Sequence, residues 1–82
     1  MSLEFYYRED CPYSRKVRGF IADQELGAQI KFHDVDKDKH DLQALVSMNH
    51  SEQVPCLFID GKPMLESDQI IGWLGEHAND LK

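Results

Sequence analysis

The chain opens with a strand signal, a helix signal and a second strand signal in close succession. That order constrains the fold more than any other feature. Leu3-Glu4-Phe5-Tyr6-Tyr7 is short and β-prone. Pro12 follows, and proline favours the first position of a helix, where its missing N–H would have had no partner. Tyr13, Val17, Phe20 and Ile21 then recur at helical spacing in a helix expected over Pro12 to Leu26, with Gly27 as its stop. Ile30 to Val35 reads as a second strand, with Ile30, Phe32 and Val35 apolar. A crossover between neighbouring strands is right-handed and leaves them parallel.

The second half completes the pattern. Asp36 to Asp41 is an acidic cluster that suits a helix start. Leu42, Leu45, Val46 and Met48 are the expected buried stripe of that helix, and Asn49, His50 and Ser51 its end. Cys56-Leu57-Phe58-Ile59 is a continuous apolar run, as expected of a strand covered on both faces. Asp60-Gly61 is a tight-turn signal, so Lys62 to Leu65 is read as the returning strand of a hairpin. Ser67 is the expected N-cap of a last helix, with Ile70, Ile71 and Leu74 facing inward. The order β-α-β-α-β-β-α predicts an α/β domain over residues 1–82: a four-stranded mixed sheet flanked by three helices, the thioredoxin-like layout.

The chemistry is concentrated at Cys11-Pro12-Tyr13-Ser14. Strand, cysteine and helix-starting proline together set the Cys11 sulfur over the free N–H groups of a helix N-terminus. Those donors and the helix dipole stabilise a thiolate and lower its pKa. Glu9 and Asp10 oppose that drop, while Arg15 and Lys16 partly offset the two acids. Ser14 occupies the position where a dithiol motif carries its second cysteine. A serine can donate a hydrogen bond to the thiolate, but it cannot resolve a mixed disulfide.

The remaining residues narrow the field. A net charge of -6 argues against binding nucleic acid through phosphates and against docking on an anionic membrane. No apolar run approaches the length of a membrane span, and no signal-peptide pattern opens the chain. Cys11 and Cys56 are the only cysteines, too few for a disulfide-stapled secreted domain, so a reduced, cytoplasmic setting is expected. Cys56 reads as a core cysteine, with a redox partner of Cys11 as the sharper alternative. Strand alternation turns Pro55 and Cys56 to opposite faces. The histidines His33, His40, His50 and His77 are scattered and carry no assigned role. Asp34, Asp36, Asp38 and Asp41 lack the glycine and terminal glutamate of a calcium loop and read as a solvated surface. No metal is expected.

Cys11-Pro12-Tyr13-Ser14 resembles the glutaredoxin C-P-Y-C motif with the second cysteine replaced. Arg8 lies three residues before the cysteine, where glutaredoxins commonly carry lysine. Val54-Pro55 resembles the family's T-V-P element, whose proline is cis, and Phe58-Ile59-Asp60-Gly61 resembles the strand and turn after it. Gln53 departs from the family's threonine, and Leu65-Glu66 replaces a Gly-Gly pair. Glu66-Ser67 is instead similar to a pair in the N-terminal domain of glutathione transferases, which shares the fold. A full transferase adds a helical domain that binds the electrophile. Transferase chemistry on apolar electrophiles is therefore not expected of this chain alone.

The resemblance implies a glutathione-dependent thiol–disulfide oxidoreductase that works as a monomer by a monothiol route. Its co-substrate would be glutathione, and its partners glutathionylated proteins or small disulfides. Cys11 would be the nucleophile and Ser14 its hydrogen-bond donor. Arg8 would meet the glycine carboxylate, and Tyr13 would border the tripeptide or else pack on the core. The backbone of Val54 and Pro55 would pair with the peptide. Glu66, Ser67 and Asp68 would anchor the γ-glutamyl group at a helix N-terminus, an anion-binding feature, although simple capping explains them too. Two other functions stay in view. One is a protein carrying a 2Fe-2S cluster ligated by Cys11 and glutathione from two protomers; the other is a redox-inactive glutathione-binding module related to transferases.

Overall fold

The computed structural model describes residues 1–81. Four strands and three helices follow in the expected order: β1 (Leu3–Tyr7), α1 (Pro12–Asp23), β2 (Lys31–Asp34), α2 (Lys39–Asn49), β3 (Cys56–Ile59), β4 (Lys62–Met64) and α3 (Ser67–Leu81). The sheet order is β2-β1-β3-β4. β1 runs parallel to β2 and antiparallel to β3, and β3 pairs antiparallel with β4.

Strand alternation divides the core into two layers. Leu3, Phe5 and Tyr7 of β1 join Leu57 of β3 on the face covered by α1 and α3, where Val17, Ile21, Ile70 and Leu74 are buried. Tyr6, Cys56 and Phe58 point the other way, toward Val35 and Leu45 of α2. Each fully buried Leu, Ile or Phe contributes about 1.5–3 kcal/mol, so both faces of the sheet hold the fold. Phe20 and Trp73 pack against the first layer as partly buried residues.

Several element ends differ from the sequence reading. α1 stops at Asp23 rather than Leu26. Glu25 takes the left-handed conformation at φ 57. Its N–H bonds Ala22 O at 3.1 Å and the Leu26 N–H bonds Ile21 O at 3.0 Å. This is a Schellman closure in which the buried Leu26 makes the hydrophobic contact, so Glu25 rather than Gly27 occupies the left-handed position. Gly27 begins a single 3-10 turn instead.

On α2, only Leu45 is fully buried; Val46 and Met48 are 38% and 45% exposed, because the helix lies on the sheet by a narrower stripe than its apolar spacing implies. Asp38 caps this helix, its carboxylate accepting from the His40 N–H at 2.8 Å, and His50 closes it at φ 58. The hairpin turn has Asp60 and Gly61 both at positive φ, the type I′ geometry that matches strand twist. Asp60 also ties down the N-terminus, accepting from the Ser2 N–H at 2.7 Å.

Asp41 differs most from the solvated surface expected of it, and its partner is His33, a residue to which the sequence assigned no role. His33 is 7% exposed and lies between two carboxylates, with Nδ1 2.8 Å from Asp41 Oδ1 and Nε2 2.9 Å from Glu4 Oε1. Its ring stacks on Tyr6 at 4.3 Å. The cluster joins β1, β2 and α2 on one face of the sheet.

Candidate functional site

Cys11 is the N-cap residue of α1, with extended backbone at φ -84 and ψ 118 and Pro12 inside the first turn. The thiol makes no capping hydrogen bond of ordinary geometry, and it stands at the free N–H groups of the first turn. The loop beneath it is fixed by short-range bonds. The Cys11 N–H donates to Arg8 O at 3.2 Å, and the Arg8 N–H donates to Ser14 Oγ at 3.4 Å. Ser14 is fully buried, directly under the loop.

Partial burial pushes the Cys11 thiol up, but three donors outweigh it. The Ser14 N–H, the Ser14 hydroxyl and the Tyr13 N–H all stabilise the thiolate, and the Cys11 pKa lies below the ordinary thiol value. Asp10 opposes the shift. Glu9 is turned aside toward Lys37, at 3.5 Å, and Arg18, at 3.9 Å.

Beside this helix end runs a groove of about 370 Å³. Glu66, Ser67 and Asp68, together with Val54, Pro55 and Tyr13, line it. The Val54-Pro55 bond is cis. Tyr13 is 65% exposed, so it does not pack into the core as its helical spacing had allowed. Ser67 is the first residue of α3 rather than its N-cap; Glu66 holds the capping position, its carbonyl accepting the Ile70 N–H at 2.9 Å.

Two expected contacts are redirected. The Arg8 guanidinium pairs with Asp36, beyond β2, and Arg8 does not line the groove. Asp68 accepts from Lys16 Nζ at 2.7 Å, which ties the first turns of α1 and α3 together. Gln53 and Leu65 line the groove and were not among the expected site residues. The signal was present, since each adjoins an expected residue and each is a departure from the glutaredoxin pattern.

The second cysteine has another environment. Cys56 is fully buried on the α2 face, opposite Tyr6 in the β1–β3 register. Burial pushes its thiol up to about 11, with a hydrogen bond from the Met64 backbone only partly compensating.

A mixed sheet in this order, with an X-cis-Pro segment entering β3 beside a cysteine-capped α1, defines a thioredoxin-fold domain. The chain belongs to the glutathione S-transferase N-terminal domain family, whose sequence model matches residues 5–81. No curated protein matches it. Among solved structures it is similar to a diazinon-metabolizing glutathione S-transferase of the silkworm Bombyx mori, with 23% identity and a TM-score of 0.72, over 100% of this chain and 40% of that one. It is also similar to a thioredoxin-like protein at 25% identity and TM-score 0.74, over 92% of this chain and 96% of the other. A dithiolic glutaredoxin of Trypanosoma brucei brucei aligns with 20% identity and TM-score 0.69, over 99% and 87% of the two chains. The chain thus spans well under half the length of the silkworm transferase.

Proposed function

We propose that this protein is a glutathione-dependent thiol–disulfide oxidoreductase that acts by a monothiol route on glutathione mixed disulfides. One observation carries the reading: a thiol of lowered pKa caps α1, with a buried serine beneath it where a second cysteine would resolve the product. The groove supports it with an extended backbone segment at Val54-Pro55 and a helix N-terminus at Ser67.

In the reaction, the Cys11 thiolate attacks the glutathionyl sulfur of a mixed disulfide. A new Cys11–glutathione S–S bond forms as the old S–S bond breaks, and the target thiolate leaves and takes a proton. The target sulfur is reduced and the Cys11 sulfur is oxidised. Glutathione thiolate then attacks the glutathionyl sulfur on Cys11, giving glutathione disulfide and restoring the Cys11 thiolate. The Ser14 and Tyr13 donors hold the thiolate before attack and after release.

A glutathione-coupled disulfide reduction assay on the wild type, Cys11→Ser and Cys56→Ser tests the reading. Cys11→Ser is expected to be inactive and Cys56→Ser to keep its activity. An active Cys11→Ser protein contradicts the proposal. The family match supports a second reading, in which the chain supplies the glutathione-binding half of a transferase. Under that reading, conjugation of an electrophile would require a helical partner domain, and disulfide reduction would be absent.

A further inference from the structure

The Glu4–His33–Asp41 cluster lies on the α2 face of the sheet, and none of its members lines the groove. We propose that it is a proton-dependent latch for α2. The folded cluster holds one proton more than the same three side chains hold in water at neutral pH, and losing that proton loosens the helix. The proposal does not rest on the oxidoreductase reading.

The proton count follows from hydrogen-bond geometry. His33 Nδ1 is 2.8 Å from Asp41 Oδ1, and Nε2 is 2.9 Å from Glu4 Oε1. Both are hydrogen-bond distances, and each contact needs a proton between nitrogen and oxygen. A neutral imidazole has a single N–H, and an ionised carboxylate has none. One proton would serve one contact and set a ring lone pair against a carboxylate oxygen at the other. That misfit is costly here, because the His33 side chain is only 9% exposed and its ring is covered by Tyr6 at 4.3 Å. Two protons satisfy both contacts. The unfolded chain holds one, since histidine is mostly neutral and both carboxylic acids are ionised at pH 7 and above. Folding there takes up close to one proton.

Charged and titratable groups face the ring from several elements. β1 contributes Glu4 and Tyr6, α2 contributes Asp41, and the exposed Lys31 of β2 stands opposite Glu4 in the strand register. Cys56 of β3 lies opposite Tyr6 in the same layer. Burial keeps that thiol and the Tyr6 phenol uncharged across the neutral range. Two carboxylates against one outlying lysine leave a negative surround for the extra proton.

Little else seats α2. Leu45 is its one fully buried residue, Leu42 and Ala44 are partly buried, and Val46 and Met48 are exposed. Asp41, in the first turn, is tied to β2 through His33, and His33 is tied to β1 through Glu4. Loss of the proton breaks one of these two links. The segment leaving α2 carries Gln53, Val54 and Pro55 into the groove, so a loosened helix frees one of its walls.

Urea unfolding of the wild type, Asp41→Asn and Glu4→Gln between pH 6 and 9 tests the proton count. Each carboxamide can donate an N–H to the ring nitrogen it faces, so a neutral imidazole then satisfies both contacts. The stability that the cluster contributes is complete below the ordinary histidine value of about 6.5 and is lost as pH rises. Between pH 7 and 8 the wild-type unfolding constant is expected to rise about five- to tenfold more than that of either variant. Amide exchange tests the latch itself. The protection factors of Leu45 and Val46 should fall with pH more steeply in the wild type than in the variants. If one variant fails to fold, the other carries the comparison; if both fail, a fall in the wild-type protection factors across this range decides it. Equal pH slopes in wild type and variants, or wild-type protection of α2 that stays level, overturns the proposal.

Discussion

Cys11 and Cys56 are the same side chain placed in opposite surroundings. Cys11 ends a loop at the start of α1, partly exposed, where the Ser14 and Tyr13 donors favour its thiolate. Cys56 starts a central strand, fully buried between Tyr6 and the α2 layer. The first thiol is pulled down and the second pushed up to about 11. Burial acts on both, so the difference comes from backbone and hydroxyl donors that only a helix N-terminus supplies in number. Reactivity here is a property of position in the fold.

The contrast can be broken most sharply by exchanging the roles under assay. Cys11→Ser is expected to bring disulfide reduction to background, whereas Cys56→Ala stays within about twofold of wild type, as befits a residue that packs without touching the reaction. Comparable losses in both variants would erase the distinction. Alkylation of the native protein with iodoacetamide should label Cys11 alone, with a pH–rate midpoint below the ordinary thiol value. Cys56 should be labelled only after denaturation. Fast labelling of native Cys56 would show that the second layer opens.

Ser14→Ala sharpens the comparison by removing the hydroxyl donor while keeping the backbone ones. The alkylation midpoint of Cys11 should rise by less than about one unit, since a full unit corresponds to 1.36 kcal/mol and one hydroxyl is one of three donors. An unchanged midpoint would assign the shift to the backbone alone.

The smallest effects are on stability. Cys56→Ala should cost about 1–2 kcal/mol in denaturant unfolding through the cavity it leaves. The same residue gives an alkaline signature. An acid whose folded pKa lies above its unfolded value favours folding while it stays protonated. That stability is intact below the unfolded thiol pKa and is lost as pH rises toward about 11. Tyr6, raised by burial, acts in the same direction. Cys56→Ala should therefore lose less stability than wild type over that alkaline range, measured as unfolding midpoints at successive pH values.

Much of this was legible in the chain because the deciding interactions are local. Pro12 after a β-prone run, and Asp60-Gly61 between two apolar runs, each fix geometry within a few residues, and both sit where the sequence places them. The expected groove residues Tyr13, Val54, Pro55, Glu66, Ser67 and Asp68 also meet in space. What the sequence did not show depends on partners far apart in the chain. His33 is held by Glu4 and Asp41, and Arg8 is turned to Asp36; no short-range pattern marks these pairings. The end of α1 was misplaced for another reason. Gly27 is the better left-handed residue in isolation, but burial of Leu26 sets the register and puts Glu25 there.

The central claim is that Cys11 carries a glutathionyl group that nothing within the chain can remove. Intact mass measurement after mixing the protein with a glutathionylated peptide, without added glutathione, tests it directly. The account predicts a single glutathione adduct, mapped to Cys11, that persists until glutathione is supplied. An intramolecular Cys11–Cys56 disulfide with release of glutathione, or no adduct at all, would contradict it.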